Sequence, residues 1–382
     1  MASGGHPGRP LFADVDFQRA PFLVIWETTQ ACALACRHCR ASARPWRDPR
    51  ELTTVEGRDL IERVAAMGTP LLVLSGGDPV NRPDLFELVR HAKRSGLRTA
   101  TIPAATADLT EALVVSLRDA GLDQMALSLD FPRAELHDTF RGVPGAFTKT
   151  LKAAGWARAA GLPLQINTTV CGDTAPYLEE MAALVERLGV VFWEVFFLVP
   201  TGRGSALQGL APEECERVFD LVYRTQKKGG FVVKVTEAPH YRCHVAQRER
   251  QLAGERGRPR SVVPMPALLT RSEGPGHTVG LAPRGVNAGN GFLFVSHVGD
   301  IYPSGFLPIP AGNVRDTRIE DAYRDSELFR SLRAPDRFKG RCGRCEFRFI
   351  CGGSRSRAFA LTGDHLETDP WCTYQPAAHA AL

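Results

Sequence analysis

The sequence predicts an α/β fold: a partial (β/α)6, TIM-type barrel followed by a small C-terminal domain. Three observations carry that prediction. From about residue 22 to 237, short β-rich apolar runs alternate with longer helical patterns, as βα units around a parallel sheet do. Several runs, Leu71-Leu72-Val73-Leu74 among them, are apolar throughout, which suits strands covered on both faces. A loop bearing three cysteines follows the first run. It therefore falls at the C-terminal ends of the strands, where barrels of this kind place their chemistry.

The expected strands are Phe22–Trp26, Leu71–Leu74, Arg98–Ile102, Gln124–Ser128, Leu164–Val170 and Val190–Leu198. The expected helices are Thr54–Met67, Pro83–Arg94, Leu109–Ala120, Ala146–Ala160, Pro176–Leu188 and Pro212–Lys228. Two starts carry caps: Thr53 stands three residues before Glu56, and Asp108 directly precedes Leu109. Beyond the barrel pattern, Arg248–Arg260 is strongly charged and Ser272–Asn290 is rich in Gly and Pro, which reads as a linker or surface insertion. A β-rich piece, Gly291–Tyr302, a helical stretch near Ile319–Leu332 and a second group of cysteines complete the chain. The expected division is a flexible tail over 1–20, the barrel over 21–237, the linker over 238–290 and the C-terminal domain over 291–382.

At 382 residues the chain can bury one large core and a small one. A net charge of +5 is too weak to argue for nucleic acid as a partner. No apolar run is long enough to span a membrane. Ten cysteines in a long chain without a secretory signal do not read as a disulfide framework. The cytoplasm, where thiols stay reduced, is the expected compartment.

Cys32, Cys36 and Cys39 are spaced C-x3-C-x2-C on one loop. A cubic iron–sulfur cluster has four irons and is usually held by four thiolates. Three close thiolates leave one iron open, and an open metal position separates catalytic sites from closed structural ones. Structural zinc wants a fourth Cys or His nearby. His38 lies between two of the cysteines, but neighbouring ligands on so short a loop would be strained around one ion. His38 therefore reads as a packing residue. Cys342-x2-Cys345-x5-Cys351 and the later Cys372 supply four thiolates, enough to close a second iron–sulfur cluster or a zinc ribbon. Cys171, Cys215 and Cys243 are left over, and free Cys is usually a small buried hydrophobe.

The strand ends carry further candidates. In Gly76-Gly77-Asp78-Pro79 the glycines admit close backbone approach, and the carboxylate suits an ammonium group. Ser128, Asp130 and Asn167 end later strands, where they serve equally as caps or as ligand contacts. Arg141 has the bidentate fork that fits a carboxylate. Glu237, His240 and Tyr241 form a polar cluster after the barrel pattern, either lining a substrate pocket as catalytic candidates or standing on a solvated loop.

The triad, with His38 before its last cysteine, resembles the motif of the radical S-adenosylmethionine (SAM) superfamily. The resemblance implies a [4Fe–4S] cluster on Cys32, Cys36 and Cys39 whose open iron chelates SAM. An electron then cleaves SAM to methionine and a 5′-deoxyadenosyl radical, which abstracts hydrogen from a substrate. Gly76-Gly77-Asp78-Pro79 matches the family's Gly-Gly-Glu-Pro, which binds the SAM amino group, with Asp in place of Glu. Ser128, Asp130, Arg141 and Asn167 fall where the family meets the SAM ribose and carboxylate, and the turn Thr201-Gly202-Arg203-Gly204 flanks the adenine.

Gly312-Asn313-Val314 and the four later cysteines resemble the SPASM extension of these enzymes and match its outer auxiliary cluster. Tyr302-Pro303 leads to Ser304 where that pattern has a cysteine, and Gly352–Arg355 lack a further one, so the inner cluster lacks ligands and two [4Fe–4S] clusters are expected in all. Gly352-Gly353, Arg355, Arg357, Thr362-Gly363-Asp364 and Asp369-Pro370 resemble the tetrapyrrole-processing branch, and a peptide-maturing branch is the alternative. A non-catalytic iron–sulfur or zinc protein is the reading from another class. The expected partners are a small-molecule or peptide substrate and an electron donor such as flavodoxin or ferredoxin, with neither nucleic acid nor membrane.

Overall fold

A computed structural model describes residues 15–255 and 285–376. Most of the expected tail and much of the expected linker lie outside the described residues. Nine strands form one sheet: β1 (Leu23–Glu27), β2 (Leu71–Ser75), β3 (Arg98–Thr101), β4 (Gln124–Ser128), β5 (Leu164–Val170), β6 (Phe192–Phe197), β7 (Val232–Thr236), β8 (Phe292–Val295) and β9 (Ile301–Tyr302). Their order is β7-β6-β5-β4-β3-β2-β1-β8-β9. Every pairing is parallel except β8 with β9. Each successive strand from β1 to β7 thus lies beside the one before, and the sheet curls into a partial barrel of TIM type.

The structure adds strands to the six expected. β7 follows Gly229-Gly230 and is mostly half-exposed, so it lacks the apolar run that marks a buried strand. β8 pairs with β1, far away in sequence, a contact that local patterning does not reveal. The C-terminal segment thus begins inside the barrel sheet.

The seven barrel helices that matter here are α1 (Thr54–Ala66), α2 (Leu85–Arg94), α3 (Glu111–Asp119), α4 (Ala134–Arg141), α5 (Ala146–Ala159), α6 (Leu178–Leu188) and α7 (Pro212–Lys228). Thr53 and Glu56 form the capping box expected at α1: Thr53 N donates to Glu56 Oε2 at 2.7 Å, and Glu56 N to Thr53 Oγ1 at 3.2 Å. Asp108 does not cap α3. Thr110 does, accepting from Leu113 N at 3.2 Å, because the chain stays extended through Thr110 and turns helical only at Glu111. α4 is eight residues long and was not anticipated.

Strand alternation divides the residues between two surfaces. Val24, Trp26, Leu72, Leu74, Met125, Leu127, Ile166, Trp193 and Val195 join the main apolar core beneath the helices. Their neighbours Leu23, Ile25, Leu71, Val73, Gln124, Gln165, Glu194 and Lys234 line an interior cavity of about 250 Å3. A closed (β/α)8 barrel fills this space with side chains; the open sheet leaves it free. Among the described residues no helix is long and apolar enough to cross a membrane.

A buried arginine in the C-terminal segment ties it to the barrel through backbone carbonyls. Helix α8 (Tyr241–Glu255) follows β7, and α9 (Ile319–Asp325), α10 (Glu327–Leu332), α11 (Gly340–Arg344) and α12 (Arg355–Thr362) follow β9. Arg357, on α12, is fully buried and pairs with the equally buried Asp369 at 3.1 Å. Its guanidinium lies 4.0 Å from the Trp371 ring centre and donates to the Glu237 carbonyl just past β7. Removing one partner of such a pair strands an uncompensated charge. Arg357→Met is therefore expected to destabilise the protein by about 3–5 kcal/mol, measured by denaturant unfolding.

Candidate active site

The cysteine loop leaves β1 and closes on itself. Cys32 N donates to Arg44 O at 2.7 Å, and Arg44 N to Gln30 O at 3.1 Å. Its stem lies against the end of β2, where Gly77 N donates to Thr29 O and Asp78 N to Ala31 O, both at 2.7 Å. A Cβ on Gly77 would stand 2.5 Å from Gln30 O, so only glycine admits this approach. On the far side, Arg203 N donates to Cys39 O at 3.0 Å and Arg203 Nε to Cys36 O at 2.9 Å. Gly202 has φ +55°, and a Cβ there would meet Arg40 O at 2.2 Å. Gly202 and Arg203, expected beside an adenine, thus grip the cysteine loop, because the residues after β6 turn directly onto it.

The loop borders a cavity of about 240 Å3 lined by Cys32, Cys36, Cys39, Gly76, Gly77 and Ser128, among others. Four buried polar atoms in its lining residues have no hydrogen-bond partner among the described residues: His38 Nδ1, His137 Nε2, Arg141 Nε and Arg203 Nη2. Burial holds both imidazoles down at about 4, so both are neutral near pH 7. His38 also stacks on Phe140 with centroids 4.7 Å apart, which agrees with its reading as a packing residue.

Arg141 Nη2 donates to Asp130 Oδ2 at 2.5 Å, and its Nη1 approaches Cys36 Sγ at 3.7 Å. Burial alone would raise the Asp130 pKa, but the Arg141 charge, His38, His137 and the hydrogen bond from Thr169 N together outweigh it and hold the carboxyl at about 2. The fixed pair leaves Arg141 Nε as a donor beside the cysteines.

Three expected contacts are placed otherwise. The Asp78 carboxylate is fully buried and accepts from Val80 N and Ala104 N, both at 3.2 Å, and from Thr106 Oγ1 at 3.2 Å. It joins the ends of β2 and β3 and does not line the cavity. Burial raises its pKa to about 6. Asp130 acts through Arg141. Asn167 Oδ1 accepts from Gln165 Nε2 at 2.6 Å, which draws it into the barrel interior, while Thr169 takes the place in the cavity wall. His137 is a functional candidate that sequence reasoning missed, and Arg203 reaches the cavity from the turn expected beside an adenine. His137 stands four residues before Arg141, on the same helical face, and that spacing was the available signal.

The first cavity adjoins the interior one, sharing Arg40, Ser75, Ile102, Phe196 and Phe306. Arg40 donates to Glu27 at 2.5 Å and lies 4.6 Å from the Phe294 ring centre. Across the interior runs a polar ladder from β4 to β7. Gln124 donates to Gln165 at 2.7 Å, Gln165 to Glu194 at 2.7 Å, and Lys234 pairs with Glu194 at 2.9 Å. These polar residues recur within otherwise apolar strands, a period-two signal that sequence analysis passed over.

Glu237 lines the same interior cavity. It is half-buried, sits at φ +58° and accepts from Ser354 Oγ at 2.5 Å, Ser356 Oγ at 3.0 Å and Ser304 Oγ at 3.3 Å. Burial raises its pKa despite these donors. His240 instead lines a separate cleft of about 20 Å3 together with Cys342, Cys345, Cys351, Cys372 and Cys243. Gly353 belongs to both this cleft and the interior cavity. Tyr241 reaches neither space: it packs in the core and donates to Gln226 at 2.8 Å.

Comparison with known proteins bears on this geometry. The family model for the radical SAM superfamily matches residues 26–185. An AdoMet-dependent heme synthase of Oleidesulfovibrio alaskensis is 42% identical over 93% of this chain and 87% of its own length. One from Methanosarcina barkeri is 41% identical over 94% of this chain and 97% of its own. The chain belongs to the radical SAM superfamily. Within it, the chain falls in the branch of the heme synthases. The fold also matches Streptococcus suis SuiB bound to S-adenosylmethionine, with a TM-score of 0.69 at 16% identity over 93% of this chain and 78% of that one.

Radical SAM proteins use a [4Fe–4S] cluster and SAM, and the donor set here fits them. Three soft thiolates on one loop suit an iron–sulfur cluster with one open corner. The unpartnered atoms of His38, His137, Arg141 and Arg203 surround the cavity beside them and call for a polar ligand. Burial raises the Cys32 thiol to about 12, so cluster binding must displace its proton.

Gly77→Ala is expected to push the loop off β2. Iron should then fall by about four per chain, with loss of SAM cleavage, as checked by iron analysis and chromatography of 5′-deoxyadenosine.

Proposed function

We propose that this radical SAM protein converts propionate side chains of an iron porphyrin into vinyl groups. Per side chain, one hydrogen atom leaves the carbon next to the ring, the bond to the carboxylate breaks, and carbon dioxide and one electron depart. When bound, SAM on the triad cluster supplies the hydrogen-abstracting radical, and a cluster on Cys342, Cys345, Cys351 and Cys372 supplies a one-electron acceptor. A donor of the flavodoxin or ferredoxin type supplies the initiating electron.

One observation carries the reading: the large interior cavity lies between the two cysteine sets and adjoins both. Its apolar walls, Leu23, Ile25, Val73 and Phe292, suit a flat hydrophobic ring, and Arg40, Lys234 and Arg242 bring cationic groups to carboxylates at its edge. Arg141, held by Asp130, keeps a donor free for the SAM carboxylate. Gly76 and Gly77 bring bare backbone to the same ligand. Enclosing walls keep water from a reactive radical. The heme synthase relatives support the substrate class.

The test is anaerobic turnover of the reduced, reconstituted protein with SAM and iron-coproporphyrin III, which bears propionates where haem bears vinyls. The expected outcome is haem with one 5′-deoxyadenosine per vinyl formed, read by mass spectrometry. SAM cleavage without decarboxylation would remove the porphyrin reading and leave the radical chemistry. Absence of 5′-deoxyadenosine would remove both.

A further inference from the structure

Sequence reasoning left Cys243 over as a spare thiol. In the structure it lies on α8, is 4% exposed and packs in one small apolar cluster with Phe347 and Cys351, against Cys345. It also lines the cleft that Cys342, Cys345, Cys351 and Cys372 share. Cys342 has a comparable neighbour. Arg355, only 2% exposed, places Nη2 at 3.5 Å from Cys342 Sγ. The guanidinium cannot swing away: Nη1 donates to His365 O at 3.0 Å and Glu367 O at 2.7 Å, and the group lies 4.6 Å from the Phe338 ring centre. Backbone donors complete the pattern, Gly353 N to Cys351 Sγ at 3.3 Å and Asp369 N to Cys342 Sγ at 3.4 Å.

We infer that Cys243 and Arg355 are positioning residues that tune the second cysteine set, each donating a hydrogen bond to one of its sulfurs and so raising the reduction potential of the cluster held there. The inference rests on the reading that Cys342, Cys345, Cys351 and Cys372 hold that cluster. Reduction adds negative charge to the cluster. Donors aimed at its sulfurs stabilise the reduced form more than the oxidised one, and such bonds are among the known determinants of cluster potential. A charged donor does this more strongly than a neutral one. Four ligands already complete a four-iron cluster, so Cys243 is surplus as a ligand, and a free cysteine is a weak S–H donor. Arg355 also lines the interior cavity. The group that sets the acceptor's potential therefore faces the substrate space, where the electron originates.

The test is an electron paramagnetic resonance titration of the reconstituted holoenzyme, without substrate, comparing wild type with C243A, C243S and R355Q. C243A should keep its iron content and make the second cluster harder to reduce, on the order of tenfold in equilibrium constant, or about 59 mV for one electron. C243S, which keeps a donor on the same carbon, should restore most of that shift. R355Q should move the potential in the same direction as C243A.

Unchanged potentials in C243A and R355Q would overturn the inference. So would loss of about four irons per chain in C243A, since Cys243 would then be a ligand. Should R355Q fail to fold, the alanine and serine variants at Cys243 decide the matter. Because no porphyrin is present, either negative result leaves the proposed reaction standing. A wild-type protein with a single cluster would overturn this inference together with the assignment of the second cysteine set.

Discussion

The site depends on a close approach of backbone to backbone. The loop carrying Cys32, Cys36 and Cys39 has little regular structure of its own. It is held from the β2 side by Gly76 and Gly77 and from the β6 side by Gly202 and Arg203, through hydrogen bonds to its own peptide groups. At three of these four positions a side chain would overlap the loop's carbonyls. The sheet thus fixes three thiols without using any of them for support, which leaves their sulfurs available to metal. Since β2 and β6 stand well apart in the curled sheet, clamping the loop between them also spans the mouth of the barrel.

The second consequence of that curl is the interior. A parallel barrel closed by eight strands packs its inner side chains into layers. Here the sheet stays open and each of β4 to β7 places a polar residue inward, Gln124, Gln165, Glu194 and Lys234, linked one to the next. A buried polar ladder of this kind is tolerable because its members are paired. Apolar residues face inward on β1, β2 and β8 instead. The cavity therefore has one greasy wall and one hydrogen-bonding wall, a division suited to a ligand with a flat apolar body and a charged rim.

Much of this follows from sequence, and the exceptions have identifiable causes. The six expected strands and six expected helices all formed, because each carries local periodicity that burial reinforces. Strand β7 escaped notice because it is half-exposed, and β8, within the expected β-rich piece Gly291–Tyr302, was not placed in the barrel sheet because its pairing with β1 is long-range. The cysteine motif and Gly76-Gly77 were readable since both are contiguous. Asp78, expected at an ammonium group, turns toward the β3 end, where Ala104 N and Thr106 Oγ1 donate to it, and spacing alone cannot say which way a side chain turns. Cys243 was discounted for the converse reason: nothing near it in sequence announces that α8 folds back against Cys351.

The two positions where the SPASM pattern calls for cysteine and this chain has none gain meaning from their surroundings. Ser304 and Arg355 both stand in the wall of the interior cavity, close to Glu237 and Ser354. Neither a serine hydroxyl tied to Glu237 nor a guanidinium locked on two carbonyls is available to iron. A bulky macrocycle needs the volume of that cavity and a small peptide side chain does not. Arg355 touches both the cavity and Cys342, which sets the second cysteine set beside the interior volume. One buried side chain, Arg355, therefore forms both part of the interior wall and a contact to the second cysteine set.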